Sequence, residues 1–244
     1  MPRSKYESIY KDIKEKIEEG EYPYQELLPS EHQLIQTYDC SRNTVRRALS
    51  NLVADGYIQT LPGKGVRNIY QAVEQASYTL GSIESFRESS LRNRRSGSTR
   101  VLQFMELTAD RKIASRTGFP EGAELYYVQR LHYLDLKPLI INHNYFLKSA
   151  VPGLTREIAE GSIYNYLEIT LHMTIVNSKR TVTVEKITQI DEKYLELNVD
   201  DYNCLAVITS QTYNSDGVMF EYTQSRHRPD YFRFQDNAVR RKSS

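Results

Sequence analysis

The sequence predicts an α+β protein in two parts: three short helices closed by a hairpin, then a mainly antiparallel sheet with helices between some of its strands. Two observations carry this reading. Up to about residue 66 the apolar residues recur at helical spacing, whereas beyond it strand-like runs dominate. Most of those runs are joined by short connections, which suits antiparallel pairing better than a doubly wound parallel sheet. The boundaries read as 1–68 for the first domain, 69–79 for a polar linker and 80–244 for the second domain. With 39% hydrophobic residues among 244, both parts can bury a core.

Each element has its own signal. From Ser4 onward, Tyr6, Ile9, Tyr10, Ile13 and Ile17 share one helical face, and Gly20 ends that helix. Ser30 stands three residues before Gln33, a capping-box pattern, so a second helix buries Leu34 and Ile35 and runs to about Tyr38. Ser41 caps a third helix, on which Val45, Ala48, Leu49, Leu52 and Val53 recur at helical spacing until Gly56 stops it. Apolar runs at 57–60 and 66–69 flank Pro62-Gly63-Lys64-Gly65, which predicts a hairpin with a glycine turn. Strands are expected near 100–107, 124–134, 138–145, 174–190, 204–213 and 218–228, and helices near 83–92, 110–117, 155–170 and 191–197. Asp216-Gly217 marks a hairpin turn, and 135–138 marks another. Within the 155–170 run, Ser162 follows the helix-ending Gly161 and is placed to act as an N-cap.

Composition excludes several classes. The 32 Lys and Arg balance 31 Asp and Glu, so net charge names no partner. Cys40 and Cys204 lie far apart and match no metal-ligand spacing, which points to reduced thiols rather than a disulfide framework or a zinc module. Residues 1–10 are polar and amphipathic, and nowhere do eighteen apolar residues run together, so a cytoplasmic protein without a membrane partner is expected. The five histidines form no paired metal motif, no serine sits in a nucleophile elbow, and Gly63-Lys64-Gly65 lacks the rest of a phosphate-binding loop. No metal, no cofactor and no catalysis are therefore expected.

Three helices followed by a hairpin, with a basic third helix, form a winged helix-turn-helix by pattern. Residues 1–70 carry ten basic and ten acidic residues, so placement matters more than the sum. Arg42, Asn43, Arg46 and Arg47 project away from the apolar face of the third helix, as a helix lying in a major groove requires. Arginine can bind guanine through two parallel hydrogen bonds, Asn43 or Thr44 can address adenine or a phosphate, and free N–H groups of the first turn suit a phosphate oxygen.

At this point the segment resembles the GntR family of bacterial transcription regulators. The resemblance runs through Leu28-Pro29-Ser30-Glu31, then residues 41–49, then Asp55-Gly56-Tyr57-Ile58 with Gly63-Lys64-Gly65. It implies that Ser30, Glu31, His32, Arg42, Thr44, Arg46, Gly63 and Lys64 lie at double-stranded operator DNA; His32 stands where the family often has arginine. The remainder resembles the HutC branch of that family, which implies a chorismate-lyase-like effector domain. Within the branch it resembles the trehalose operon repressors, through Asn144-Tyr145-Phe146, residues 152–158, residues 161–168 and residues 222–234. That similarity implies repression of trehalose uptake and cleavage genes, relieved by trehalose 6-phosphate.

A phosphosugar needs cations or N–H donors for its phosphate and hydroxyl, carboxylate and amide partners for its rings. Ser85, Phe86 and Arg87 begin an expected helix whose N–H groups can hold phosphate, and Arg130 on a strand adds charge; both match phosphate positions of the family. His132 stands where the family has a second arginine, and Asn142 where it has a carboxylate facing the sugar. The resemblance also places Tyr164 and Glu221 at the sugar. Ser162 can join them besides capping, and Ser225 and His227 share a strand face at period two. Arg226 and Arg228 are read as structural, on the other face or paired with Asp230. Two alternatives stay open: a repressor sensing another phosphosugar such as glucosamine 6-phosphate, and a small-molecule lyase. One winged helix offers few base contacts, so a homodimer held by residues 80–244 on an inverted-repeat operator is expected.

Overall fold

The structure, a computed structural model, describes residues 4–71, 78–79, 83–93, 95–198 and 200–235. Contacts divide these into two compact units, one of residues 4–71 with Thr79 and Gln235, the other of Tyr78 with the described residues of 83–234. Most of the expected linker falls on residues 72–77, outside the described residues.

The first unit is three helices and a hairpin. Helices α1 (Lys5–Glu18), α2 (Glu31–Tyr38) and α3 (Arg42–Ala54) precede strands β1 (Ile58–Leu61) and β2 (Gly65–Asn68), which pair antiparallel. Both predicted caps form: the Ser30 hydroxyl accepts from the Gln33 N–H, and the Ser41 hydroxyl from the Thr44 N–H. Ile9, Ile13 and Ile17 of α1 meet Leu34 of α2, Val45, Ala48, Leu49 and Leu52 of α3, and Ile58 of β1 in one core. Each such side chain contributes roughly 1.5–3 kcal/mol by leaving water, so α3 is held from inside while its other face stays free. At the hairpin tip, Gly63 (φ +71°) and Gly65 (φ +103°) adopt left-handed backbone that only glycine takes without strain.

The second unit is built on a six-stranded antiparallel sheet in the order β4-β5-β6-β9-β8-β7. Its strands are β4 (Gly97–Thr108), β5 (Glu124–Leu134), β6 (Lys137–Leu147), β7 (Ile175–Lys186), β8 (Cys204–Asn214) and β9 (Met219–His227). Short strands β3 (Tyr78–Thr79) and β10 (Phe234–Gln235) form a separate pair. On one face, Val101, Tyr126, Val128 and Phe146 pack beneath α6 (Arg156–Glu160) and α7 (Ile163–Asn165). On the other, Leu131, Ile141 and Val207 meet Leu195 of α8 (Gln189–Leu195), and α5 (Arg111–Thr117) lies beside Tyr145 and Tyr222. Helix α4 (Phe86–Arg92) crosses β4 at Gly97, where a Cβ would collide with the Ser90 hydroxyl. The turn between β5 and β6 is tight, with Asp135 and Leu136 both at positive φ.

Two expected elements are corrected. The run at 155–170 is not one helix, because Gly161 turns extended and Ser162 starts α7 afresh, followed by a π-helical turn at Tyr166–Thr170. The strand expected to reach 190 stops at Lys186, and the helix expected at 191–197 starts earlier, because Thr188 and Asp191 form a capping box.

Candidate functional site

Two groups of side chains stand out, one in each unit. On α3, Val45, Ala48, Leu49 and Leu52 point into the core, leaving Arg42, Asn43, Arg46 and Arg47 exposed. Arg42 and Asn43 have no side-chain partner among the described residues. Arg46 pairs with Glu31 at 3.2 Å, an exposed contact worth at most about 1 kcal/mol and so readily exchanged for a base or a phosphate. Arg47 is committed elsewhere: its guanidinium lies 3.8 Å from the centroid of the Tyr6 ring, and it donates to the Tyr6 hydroxyl. Thr44 shares a 2.8 Å hydroxyl contact with Ser41, Ser30 is occupied by its capping box, and His32 lies 3.2 Å from the Gln36 amide. Gly63 and Lys64 are exposed at the hairpin tip.

In the second unit, register assembles a polar floor on the sheet face beneath α7. Arg130, Asn142 and Ser225 stand opposite one another across β5, β6 and β9. The next row places Asn144 opposite Thr223, and the row beyond places Phe146 opposite Glu221. Arg130 Nε donates to Asn144 Oδ1 (3.1 Å), and Asn144 Nδ2 donates to Glu221 Oε1 (3.0 Å) and to Thr223 Oγ1 (2.7 Å). From above, the Tyr164 hydroxyl donates to Glu221 Oε2 (2.9 Å). Burial, then the Glu221 charge, pushes Tyr164 well above its ordinary pKa, so it stays a neutral donor. Burial pulls Arg130 below its usual value while Glu221 and Tyr164 oppose the shift. Its two Nη groups have no partner among the described residues.

His132 is buried at the same end. Its Nδ1 lies 2.9 Å from Thr99 Oγ1 and its Nε2 lies 3.0 Å from Asn142 Nδ2. With the amide in this orientation, Nε2 accepts and Nδ1–H donates, so the ring is neutral. Burial, then Arg130 and His227, hold its pKa well below the ordinary histidine range. Phe86 covers the ring at a centroid distance of 4.5 Å. Asn142 Oδ1 is buried without a hydrogen-bond partner, an acceptor left open on the floor. His227 lies on the same face, opposite Ile140, and burial lowers its pKa to about 3.

The structure thus brings Arg130, His132, Asn142, Tyr164, Glu221, Ser225 and His227 to one face. Ser85 lies at the N-terminus of α4, where its N–H and its hydroxyl both donate to Glu88 Oε2 at 2.7 Å, so a carboxylate already holds the anion position. Arg87 is exposed, and Ser162 accepts from the Asn165 N–H as the cap of α7. Arg226 lies on the opposite face, held by Asp191 (2.8 Å) and Glu185 (2.6 Å), while Arg228 pairs with Asp230. Sequence reading missed Asn144 and Thr223, the links between Arg130 and Glu221. Their signal was period-two alternation, from Asn142 to Asn144 and from Glu221 through Thr223 to Ser225. Among the described residues no cluster of His, Cys, Asp and Glu could hold a metal ion, and no helix is long and apolar enough to cross a membrane.

Comparison with known proteins bears on both groups. Residues 5–67 match the bacterial regulatory proteins of the gntR family, and residues 92–233 match the UTRA domain. The HTH-type transcriptional regulator TreR of Bacillus subtilis is 35% identical over 242 residues, covering 99% of this chain and 100% of that protein. The mannosyl-D-glycerate transport/metabolism system repressor MngR of Escherichia coli is 26% identical over 98% of this chain and 97% of its own. The effector-binding domain of the B. subtilis trehalose repressor superposes with a TM-score of 0.52 at 32% identity, covering 59% of this chain and 99% of that one. YydK of B. subtilis, a possible transcriptional regulator, shares the fold at a TM-score of 0.81 and 22% identity, over 97% of this chain and 100% of its own.

Proposed function

The chain belongs to the GntR family, as a transcriptional repressor of the HutC type with a UTRA effector domain, and from that premise we propose that it represses genes of trehalose uptake and utilisation and leaves its operator on binding trehalose 6-phosphate. Regulators of this family bind operator DNA through the winged helix and a small molecule in the UTRA domain. The observation that carries the finer reading is the 35% identity to TreR along the full length. The polar floor supports it: Arg130 offers two unsatisfied Nη groups for phosphate, while Asn142 Oδ1 and the Glu221–Thr223 pair offer acceptors and a hydroxyl for sugar. Since Ser85 already serves Glu88, phosphate binding there requires that carboxylate to swing out, and Arg130 is the primary anchor.

On this reading Arg42, Asn43, Thr44 and Arg46 address the major groove, with Gly63 and Lys64 at the backbone of the DNA. The protein acts in the cytoplasm as a homodimer on an inverted repeat, which doubles the contacts of each head. The relatives it matches are transcriptional regulators, so ligand binding rather than turnover is the role of the floor.

Titrating operator complexes with trehalose 6-phosphate, glucosamine 6-phosphate and trehalose tests the reading. Trehalose 6-phosphate should release the DNA at the lowest concentration and trehalose at the highest, because charge-assisted bonds to phosphate are roughly twice as strong as neutral ones. Arg130→Ala should abolish release and leave operator affinity intact. Equal response to trehalose and its phosphate overturns the proposal; stronger response to glucosamine 6-phosphate moves it to another phosphosugar.

A further inference from the structure

The polar floor continues past the residues that face Arg130. Across β9 and β8, Thr223 stands opposite Ser210 and Glu221 opposite Thr212. Across β8 and β7, Ser210 stands opposite Arg180 and Thr212 opposite Ser178, whose hydroxyls are 3.3 Å apart. Directly opposed residues of antiparallel strands share a face, so Arg180 belongs to the same surface as Arg130, Asn144 and Glu221. The two arginines sit on β5 and β7, four strand steps apart in the sheet, or roughly 19 Å at about 4.8 Å per step.

Arg180 is partly buried and has no hydrogen-bond or ion-pair partner among the described residues. Val182 and Val184, two and four residues further along β7, share its face and are exposed, so Arg180 is the polar member of that edge row. Its charge acts on the enclosed Tyr164 hydroxyl, where it opposes the upward push of burial. Tyr164 is bonded to Glu221, and register sets Arg180 in the row of Ser210 and Thr223, directly beside the row of Glu221, Thr212 and Ser178.

We propose that Arg180 is a second cationic contact of the effector site, meeting the end of the ligand remote from the phosphate and so selecting a two-ring phosphosugar over a one-ring one. The inference rests on the phosphosugar reading above and deepens it. A phosphate anchored at Arg130 with a single sugar ring falls short of β7. Two linked rings extend along Asn144, Thr223 and Ser210, where the hydroxyls of the second ring can accept from a guanidinium.

Calorimetric titration of the full chain with trehalose 6-phosphate and glucose 6-phosphate tests this. Arg180→Ala should weaken trehalose 6-phosphate about tenfold or more and leave glucose 6-phosphate unchanged, whereas Arg130→Ala should weaken both. Arg180→Lys should recover part of the loss, and operator affinity should hold in every variant as a check of folding. Wild-type affinity for trehalose 6-phosphate in Arg180→Ala, or an equal loss for the two phosphates, overturns the role of Arg180 alone. A wild-type protein that binds neither phosphate overturns the phosphosugar reading and this inference together, whereas equal affinity for the two overturns the inference alone.

Discussion

The two units keep their proposed recognition groups in opposite conditions. In the head, Arg42, Asn43 and Lys64 stand in water with no side-chain partner among the described residues, and Arg46 has only an exposed ion pair. In the effector unit, Arg130, Asn144, Glu221 and Tyr164 are linked by hydrogen bonds beneath a helix before any ligand arrives. The physical reason is desolvation. A cationic side chain waiting in water for a phosphate backbone incurs no cost beforehand, and its contacts are weakened by salt. An unpaired buried polar group is costly, so most of the floor is paired in advance, and the few atoms left over, such as Asn142 Oδ1, mark where a ligand fits. The head therefore tolerates loss of single groups gradually, whereas removing a member of the floor strands its partner.

Acid separates the two units most sharply. The effector unit buries His132 and His227 and half-buries His143, while the head carries only the exposed His32. Burial lowers His227 to about 3, and burial with Arg226 nearby lowers His143 to about 4. Both folded-state values lie below the unfolded value of about 6.5, so the unfolded chain takes up protons first as pH falls. Their stabilisation is complete above about pH 6.5 and is lost progressively toward pH 4 and then 3. Between pH 7 and pH 5 the effector unit should lose on the order of 4 kcal/mol. Hydrogen-exchange protection of β5, β6 and β9, corrected for intrinsic rates, should fall at pH 5 while that of α1 and α3 holds. Parallel loss in both units would break the contrast.

How much of this was legible depended on whether the signal was local. The caps at Ser30 and Ser41, the glycine tip and the apolar stripe of α3 involve residues within a few positions, and each formed as the sequence indicated. The break at Gly161 was only half legible: Ser162 read as a cap, yet the apolar spacing ran on through it. The floor was less accessible still. Arg130, Asn142 and Glu221 could be singled out one by one. Their linkage through Asn144 depends on β6 pairing with β9, which brings together Asn144 and Glu221 from 77 positions apart. Alternation gives the face of each strand but not its neighbour. The Arg226–Asp191 contact on the far face has the same long-range origin.

The next effect is smaller and belongs to the head. Arg46→Ala should weaken specific operator binding by ~1–3 kcal/mol and relax sequence preference at one position of each half-site, as loss of a two-bond contact to guanine would. Because Arg46 also leaves Glu31 without its partner, Glu31→Ala serves as the control. Selection from randomised half-sites should show the relaxed position for Arg46→Ala and not for Glu31→Ala. An unchanged preference in both would place base reading elsewhere on α3.

The smallest effect tests the solvated side of the comparison most directly. Lys64 sits between two left-handed glycines at the tip of the hairpin, its N–H bonded to the Leu61 carbonyl at 3.0 Å and its side chain in water. The turn fixes its backbone while the ammonium stays free, which suits a point charge against phosphate rather than a directional contact to a base. Lys64→Ala should therefore lower affinity for operator and unrelated DNA by similar factors, about tenfold or less at low salt. It should also flatten the slope of log affinity against log salt by about 1 for each head that contacts the backbone. Fluorescence anisotropy across a salt series on both DNAs reads the two quantities together. A loss confined to operator DNA would make Lys64 a base-reading residue, and an unchanged slope would remove the hairpin tip from the interface.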